Sequence, residues 1–82
     1  MQAFYFSWLR ERVGVASEDI DPGPAVTVAE LIRELSARED RYAAAFADVS
    51  AVRVAVDQKM VEMDHPLAGA REIGFFPPMT GG

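Results

Sequence analysis

The chain has no cysteine and a single histidine. Without cysteine there is no disulfide, no thiolate nucleophile and no sulfur-ligated metal site. His65, in "DHPL", has no second ligand at suitable spacing and reads as a loop residue rather than a metal ligand or general base. Basic residues are scarce: 8 Lys and Arg stand against 13 Asp and Glu, for a net charge of -5. That balance argues against nucleic-acid binding, which needs clustered cations to neutralise phosphates. It suits a partner with a basic surface, and it also simply keeps a small chain in solution; charge alone does not choose. No apolar run approaches the roughly 20 residues of a membrane span. "MQAFYFSWLRER" begins apolar and ends charged, the reverse of a secretory leader. The expectation is a cytoplasmic chain that meets neither nucleic acid nor membrane. No nucleophile–base pair, phosphate loop or metal-ligand cluster is visible, so a stand-alone enzyme has little support.

What is present is enough for one modest core. Of 82 residues, 50% are apolar and 26% charged, and nothing in the pattern divides the chain. Residues 2–8, "QAFYFSW", read as an aromatic-rich strand. A helical turn over Leu9–Val13 follows, with Gly14 placed to end it. "SEDIDPGP" reads as a short strand running into a turn. The clearest element starts at "TVAE", where Thr27 and Glu30 have capping-box spacing. Val28, Leu31, Ile32 and Leu35 then fall on one stripe, and Glu34 and Arg38 pair at i,i+4 on the wet side. "RYAAAFADV" predicts another helical turn with Tyr42, Phe46 and Val49 inward. The period then changes to two: Val52, Val54 and Val56 alternate with Arg53, Ala55 and Asp57. "KMVEM" follows the Asp57-Gln58 turn as a strand, "DHPLAG" is a loop, and "REIGFF" is the last strand. Asp57 and Asp64 are expected to serve turns. This order is α+β, most economically a β-grasp, with one main helix across one face of a small mixed sheet.

The functional clue lies in paired aromatics and in the tail. Adjacent strand residues point to opposite faces, so Phe75 and Phe76 cannot both be core. The expected arrangement puts Phe75 inside and Phe76 outside, with Phe6 and Met60 as outer companions, as an exposed patch for a partner; the competing arrangement folds a loop of the same chain over them. After Phe76, Pro77-Pro78 ends sheet pairing and holds the exit extended. At about 3.1 Å per residue the segment 77–82 reaches nearly 20 Å. Between Ile73 and Gly82 there is no charged side chain. Gly81 and Gly82 have no side chain to obstruct a narrow channel, which leaves the α-carboxylate as the functional group at the end. The organisation expected is thus a domain over 1–76 and an extended tail over 77–82.

These residues resemble a known family. "DHPLAGAREIGFFPPMTGG", together with "LRERVG", "TVAELIREL" and "VAVDQ", is similar to the sulfur-carrier small subunits of molybdopterin synthase, which are ubiquitin-like β-grasp proteins. The resemblance implies that an ATP- and Mg-dependent adenylating enzyme activates Gly82, and that a sulfur donor converts the adenylate to a thiocarboxylate. The sulfur then passes to a cyclic pyranopterin precursor within the large synthase subunit, as part of a heterotetramer. It further implies that Gly81 and Thr80 thread into that partner, and that Phe6, Arg10, Met60 and Phe76 dock against it. The partners would supply the catalysis, and no bound cofactor or metal is implied for this chain. "VDQ", where asparagine is common, and the large Trp8 depart from the family pattern. Carriers for thiazole synthesis or tRNA thiolation, a protein-conjugating tag and an inert ubiquitin-like interaction module remain as alternatives, with FFPP favouring the molybdopterin branch.

Overall fold

The computed structural model describes residues 1–78. Five strands form one mixed sheet: β1 (Gln2–Tyr5), β2 (Ser17–Asp19), β3 (Arg53–Val56), β4 (Lys59–Val61) and β5 (Glu72–Phe76). Their order across the sheet is β2-β1-β5-β3-β4; β1 and β5 run parallel and the other neighbours antiparallel. Three helices, α1 (Trp8–Val13), α2 (Val28–Arg38) and α3 (Asp40–Ala45), and a 3₁₀ turn (Val49–Ala51) make up the other elements of the described residues. This is the β-grasp order, as expected.

One face of the sheet carries the core. Ala3 and Tyr5 from β1, Ile73 and Phe75 from β5, and Val54 and Val56 from β3 are all buried, and their registers place them side by side. Against them pack Val28, Leu31, Ile32 and Leu35, the apolar stripe of α2. Phe75 is 0% exposed; its ring lies 5.6 Å from Tyr5, nearly parallel, and 4.9 Å from Phe46 in a tilted contact. Tyr42 and Phe46 turn inward as anticipated, but Val49 does not: the 3₁₀ turn leaves it 40% exposed.

Local chemistry sets the ends of these elements. Gly14 closes α1 with φ 96°, in the left-handed region, and its N–H donates to the Arg10 carbonyl. Thr27 Oγ1 accepts from the Glu30 N–H at 3.2 Å, while the Glu30 carboxylate accepts from the Thr27 hydroxyl at 3.1 Å. The two residues cap the helix together, although Glu30 bonds the hydroxyl and not the backbone N–H of a standard capping box. Two further donors at the start of α2 are met from the 62–66 loop: Val28 N–H donates to His65 O and Ala29 N–H to Met63 O. His65 thereby has a loop role, and Asp64 sits in the turn closed by His65 N–H on Glu62 O. Asp57 and Gln58 both adopt positive φ, 49° and 69°, the turn that the twist of an antiparallel pair favours. Asp57 Oδ1 also accepts from the Arg71 and Glu72 N–H groups, which holds its carboxyl below its ordinary range and ties the β3–β4 turn to the start of β5. The "KMVEM" strand is shorter than expected and ends at Val61, where the chain turns towards α2.

A polar cluster closes the β2 side. The Glu18 carboxylate accepts from both Tyr5 and Tyr42 hydroxyls and pairs with Arg41 at 3.2 Å. Arg41 Nη1 also donates to the Val13 carbonyl, so one side chain links α3, α1 and β2. Partial burial alone would raise the Glu18 carboxyl, but the Tyr42, Tyr5 and Arg41 hydrogen bonds and the Arg41 charge outweigh it and leave it below its ordinary value. Burial and the bond to Glu18 push Tyr42 up to about 12.

The large cavity left by Phe75→Ala is expected to cost about 3–5 kcal/mol in urea unfolding. Glu18→Gln is expected to cost about 2 kcal/mol at neutral pH, the scale of hydrogen bonds to a charged group. Because the folded carboxyl titrates below the unfolded one, this stabilisation is complete above the unfolded pKa and fades as pH falls through the folded pKa. The wild-type and Glu18→Gln unfolding curves should therefore converge in acid; a gap of constant size down to the lowest pH would contradict the assignment.

Candidate docking face and tail exit

The second face of the sheet has no helix upon it among the described residues. Alternation along β5 sends Ile73 and Phe75 to the core and Gly74 and Phe76 outward. The registers continue this face through Phe4, Gly74, Ala55 and Met60, one residue from each of four adjacent strands. Gly74 and Ala55 are small, so the middle of the row sinks. The result is an apolar depression of about 120 Å³ lined by Phe4, Phe6, Ala55, Gly74 and Phe76, with Gln58 and Glu72 at its margin.

Phe6 and Phe76 are in direct contact on this face. Their rings stack with centroids 4.4 Å apart and planes within 4°. Phe76 is half-buried and Phe6 is 42% exposed. The pair lies back over Gly74, where a Cβ would come within 3.0 Å of the Phe76 ring and 3.5 Å of Phe6. Glycine in this strand marks a close approach, here of the chain's own aromatics.

The Phe6 geometry requires a correction to the expected first strand. β1 stops at Tyr5 instead of continuing to Trp8. Phe6 N–H still donates to Phe75 O, but Ser7 then adopts φ 56° and ψ -133°, and the chain turns into α1. Trp8 therefore lies in α1, half-buried against the core with the Arg12 guanidinium 4.6 Å from its ring, rather than in the outward row of β1. A positive φ at serine costs about 1–3 kcal/mol, and this one falls at the turn that leaves Phe6 upon Phe76.

Of the expected docking residues, Phe6 and Phe76 are in contact. Met60 is 62% exposed in the same outward row, on the far side of β3. Arg10 is exposed on α1 and outside the sheet. Thr80, Gly81 and Gly82 lie outside the described residues. Pro77 and Pro78 continue from Phe76, whose register partner is Arg53, so the chain leaves the sheet at the Arg53 end of β3. The depression formed by Gly74 and Ala55 was not anticipated; the signal available was a glycine flanked by large residues inside a strand.

The match to the ThiS family model covers residues 4–82, nearly the full chain and its C-terminal end. The chain belongs to the ThiS family. A molybdopterin synthase sulfur carrier subunit from Escherichia coli K12 is 37% identical over 82 residues, spanning 100% of this chain and 99% of that protein. A protein of the same description from Haemophilus influenzae is 31% identical over 83 residues, with 100% and 99% covered. Among solved structures, a Pyrococcus furiosus chain described as molybdopterin converting factor subunit 1 superposes with a TM-score of 0.74, at 26% identity and 95% coverage of both chains. SAMP1 from Haloferax volcanii has a TM-score of 0.72 at 20% identity, with 100% and 98% covered, which shows a shared fold. The match to this ThiS-family chain thus includes both the stacked phenylalanines and the segment after them.

If the ring pair is a unit, Phe6→Ala and Phe76→Ala should be non-additive in unfolding, with a coupling of about 0.5–1.5 kcal/mol. Additive losses in a double-mutant cycle would show that the stacking carries no energy of its own.

Proposed function

We propose that this chain is the sulfur-carrier subunit of a molybdopterin synthase, with Gly82 as its reactive residue. The observation that carries the reading is the exposed Phe6–Phe76 stack at the point where Pro77-Pro78 leaves the sheet. An apolar docking patch and a tail without charged side chains that ends in Gly81-Gly82 thereby meet at one strand end. The full-length likeness to proteins described as sulfur carrier subunits supports it.

The chemistry needs little from this chain. An oxygen of the Gly82 carboxylate attacks the α-phosphorus of ATP, releasing pyrophosphate and leaving an acyl-adenylate. Sulfide, or a sulfur donor equivalent to it, attacks the acyl carbon and displaces AMP, giving a thiocarboxylate. ATP and Mg are held by the activating enzyme. The large synthase subunit then receives the tail, the thiocarboxylate sulfur passes to the cyclic pyranopterin precursor, and water restores the carboxylate. Thr80 and Gly81 thread the channel, while Phe6, Met60 and Phe76 dock the carrier and Arg10 adds a polar contact at the rim. The working assembly is a heterotetramer of two carriers on a dimer of large subunits. The catalytic groups belong to the partners, because the carrier's own polar clusters, centred on Glu18 and Asp57, are engaged in holding strands and helices together.

Incubation with ATP, magnesium, a sulfide source and a molybdopterin-type activating enzyme should shift the intact mass by the replacement of one oxygen by one sulfur, mapped to Gly82. Deleting Gly81-Gly82 should abolish the shift and leave the melting temperature unchanged. No shift with an enzyme shown to be active on another carrier would remove this chain from the pathway.

A further inference from the structure

Arg53 stands beside the docking face without having been part of it in the sequence reading. It is exposed, lies in register opposite Phe76, and therefore borders both the stacked pair and the exit of the tail. It also lines an open groove of about 610 Å³ on its other side, with Val49, Met60 and Glu62. One end of its guanidinium is held: Nη1 donates to Ser50 O at 3.0 Å and to Val52 O at 3.3 Å. The ion pairs among the described residues engage the Met1 amine, Arg38 and Arg41; Arg53 is in none of them, although Glu62 shares its groove.

We infer that Arg53 is a specificity-determining residue of the carrier, receiving a carboxylate of the large synthase subunit at the edge of the pocket that takes Phe76. This rests on the docking reading proposed above. A guanidinium has five donors in a rigid fork suited to carboxylates. With Nη1 anchored on two backbone carbonyls, the guanidinium of this neighbour of Phe76 is restricted in orientation. Apolar contact with the Phe6–Phe76 stack excludes water from the adjacent ion pair, which strengthens it compared with an exposed surface pair. In a chain of net charge -5, a cation at the Phe76 end of the sheet favours a partner carboxylate there over the opposite end, where Asp19 and Glu72 stand.

The test measures affinity of the full-length carrier for the large subunit at low and high salt, with Arg53→Lys, Arg53→Ala and Arg53→Glu, and with Phe76→Ala as a reference. Arg53→Glu should weaken binding at least about tenfold more than Arg53→Ala. Arg53→Lys, which keeps the charge but not the fork, should fall between wild type and Arg53→Ala, and salt should narrow the differences. Both Ala and Glu lose the two carbonyl bonds, so equal weakening by the two, insensitive to salt, would mean that Arg53 merely supports the 3₁₀ turn, and would overturn the inference. Unchanged affinity in all three variants would overturn it too. If Phe76→Ala weakens binding while the Arg53 series does not, only this inference fails; if Phe76→Ala also binds normally, the docking reading falls with it.

Discussion

Everything on the candidate docking face depends on the alternation of side chains along β5, at the centre of the sheet. Hydrogen bonding to β1 on one side and β3 on the other leaves the strand no freedom to rotate or slip. A shift by one residue would put Phe76 in the core and Phe75 in water. Ile73 and Phe75 together prevent that slip: Phe76 could take the Phe75 site, but Gly74 would then stand where Ile73 is fully buried and leave that part of the core unfilled. The outward position of Phe76, its stack on Phe6 and the point at which Pro77 leaves the sheet all follow from the burial of its neighbour.

The polar structure is placed so as to leave that face alone. The Glu18 cluster ties β2 to α3 and α1 on the helical side, and Asp57 ties the β3–β4 turn to the first residue of β5. The 62–66 loop meets the helix donors of α2. With these groups paired internally, the middle of the outer face is left with Phe4, an aromatic stack, two small residues and Met60, while Arg53 and Glu72 stand at its ends. A surface of this kind gains from apolar contact with a partner and has few polar groups to desolvate.

Much of this was legible in the residues. The α2 stripe, the Thr27–Glu30 cap, the Gly14 stop and the opposed Phe75 and Phe76 follow from short-range periodicity and backbone preference, which act within a few residues. The failures have a common cause. Val49 looked inward on helical spacing, but the chain enters a 3₁₀ turn there before joining β3, and the face it presents changes. Trp8 looked like an outward strand residue, yet Ser7 takes a backbone conformation that serine seldom adopts, and no local preference announces it. "KMVEM" ended early because its last residues are drawn to the start of α2, a contact distant in sequence.

By itself the sequence determined the grasp-like order of elements, the inward and outward phenylalanines and the absence of charged side chains after Glu72, since each rests on spacing or on the intrinsic chemistry of a residue. The tertiary structure alone decided that Phe6 stacks on Phe76, that Gly74 and Ala55 open a depression between this pair and Phe4, and that Arg53 borders the tail exit. Those contacts join strands far apart in the chain, and strand order and register, which no local pattern contains, bring them together.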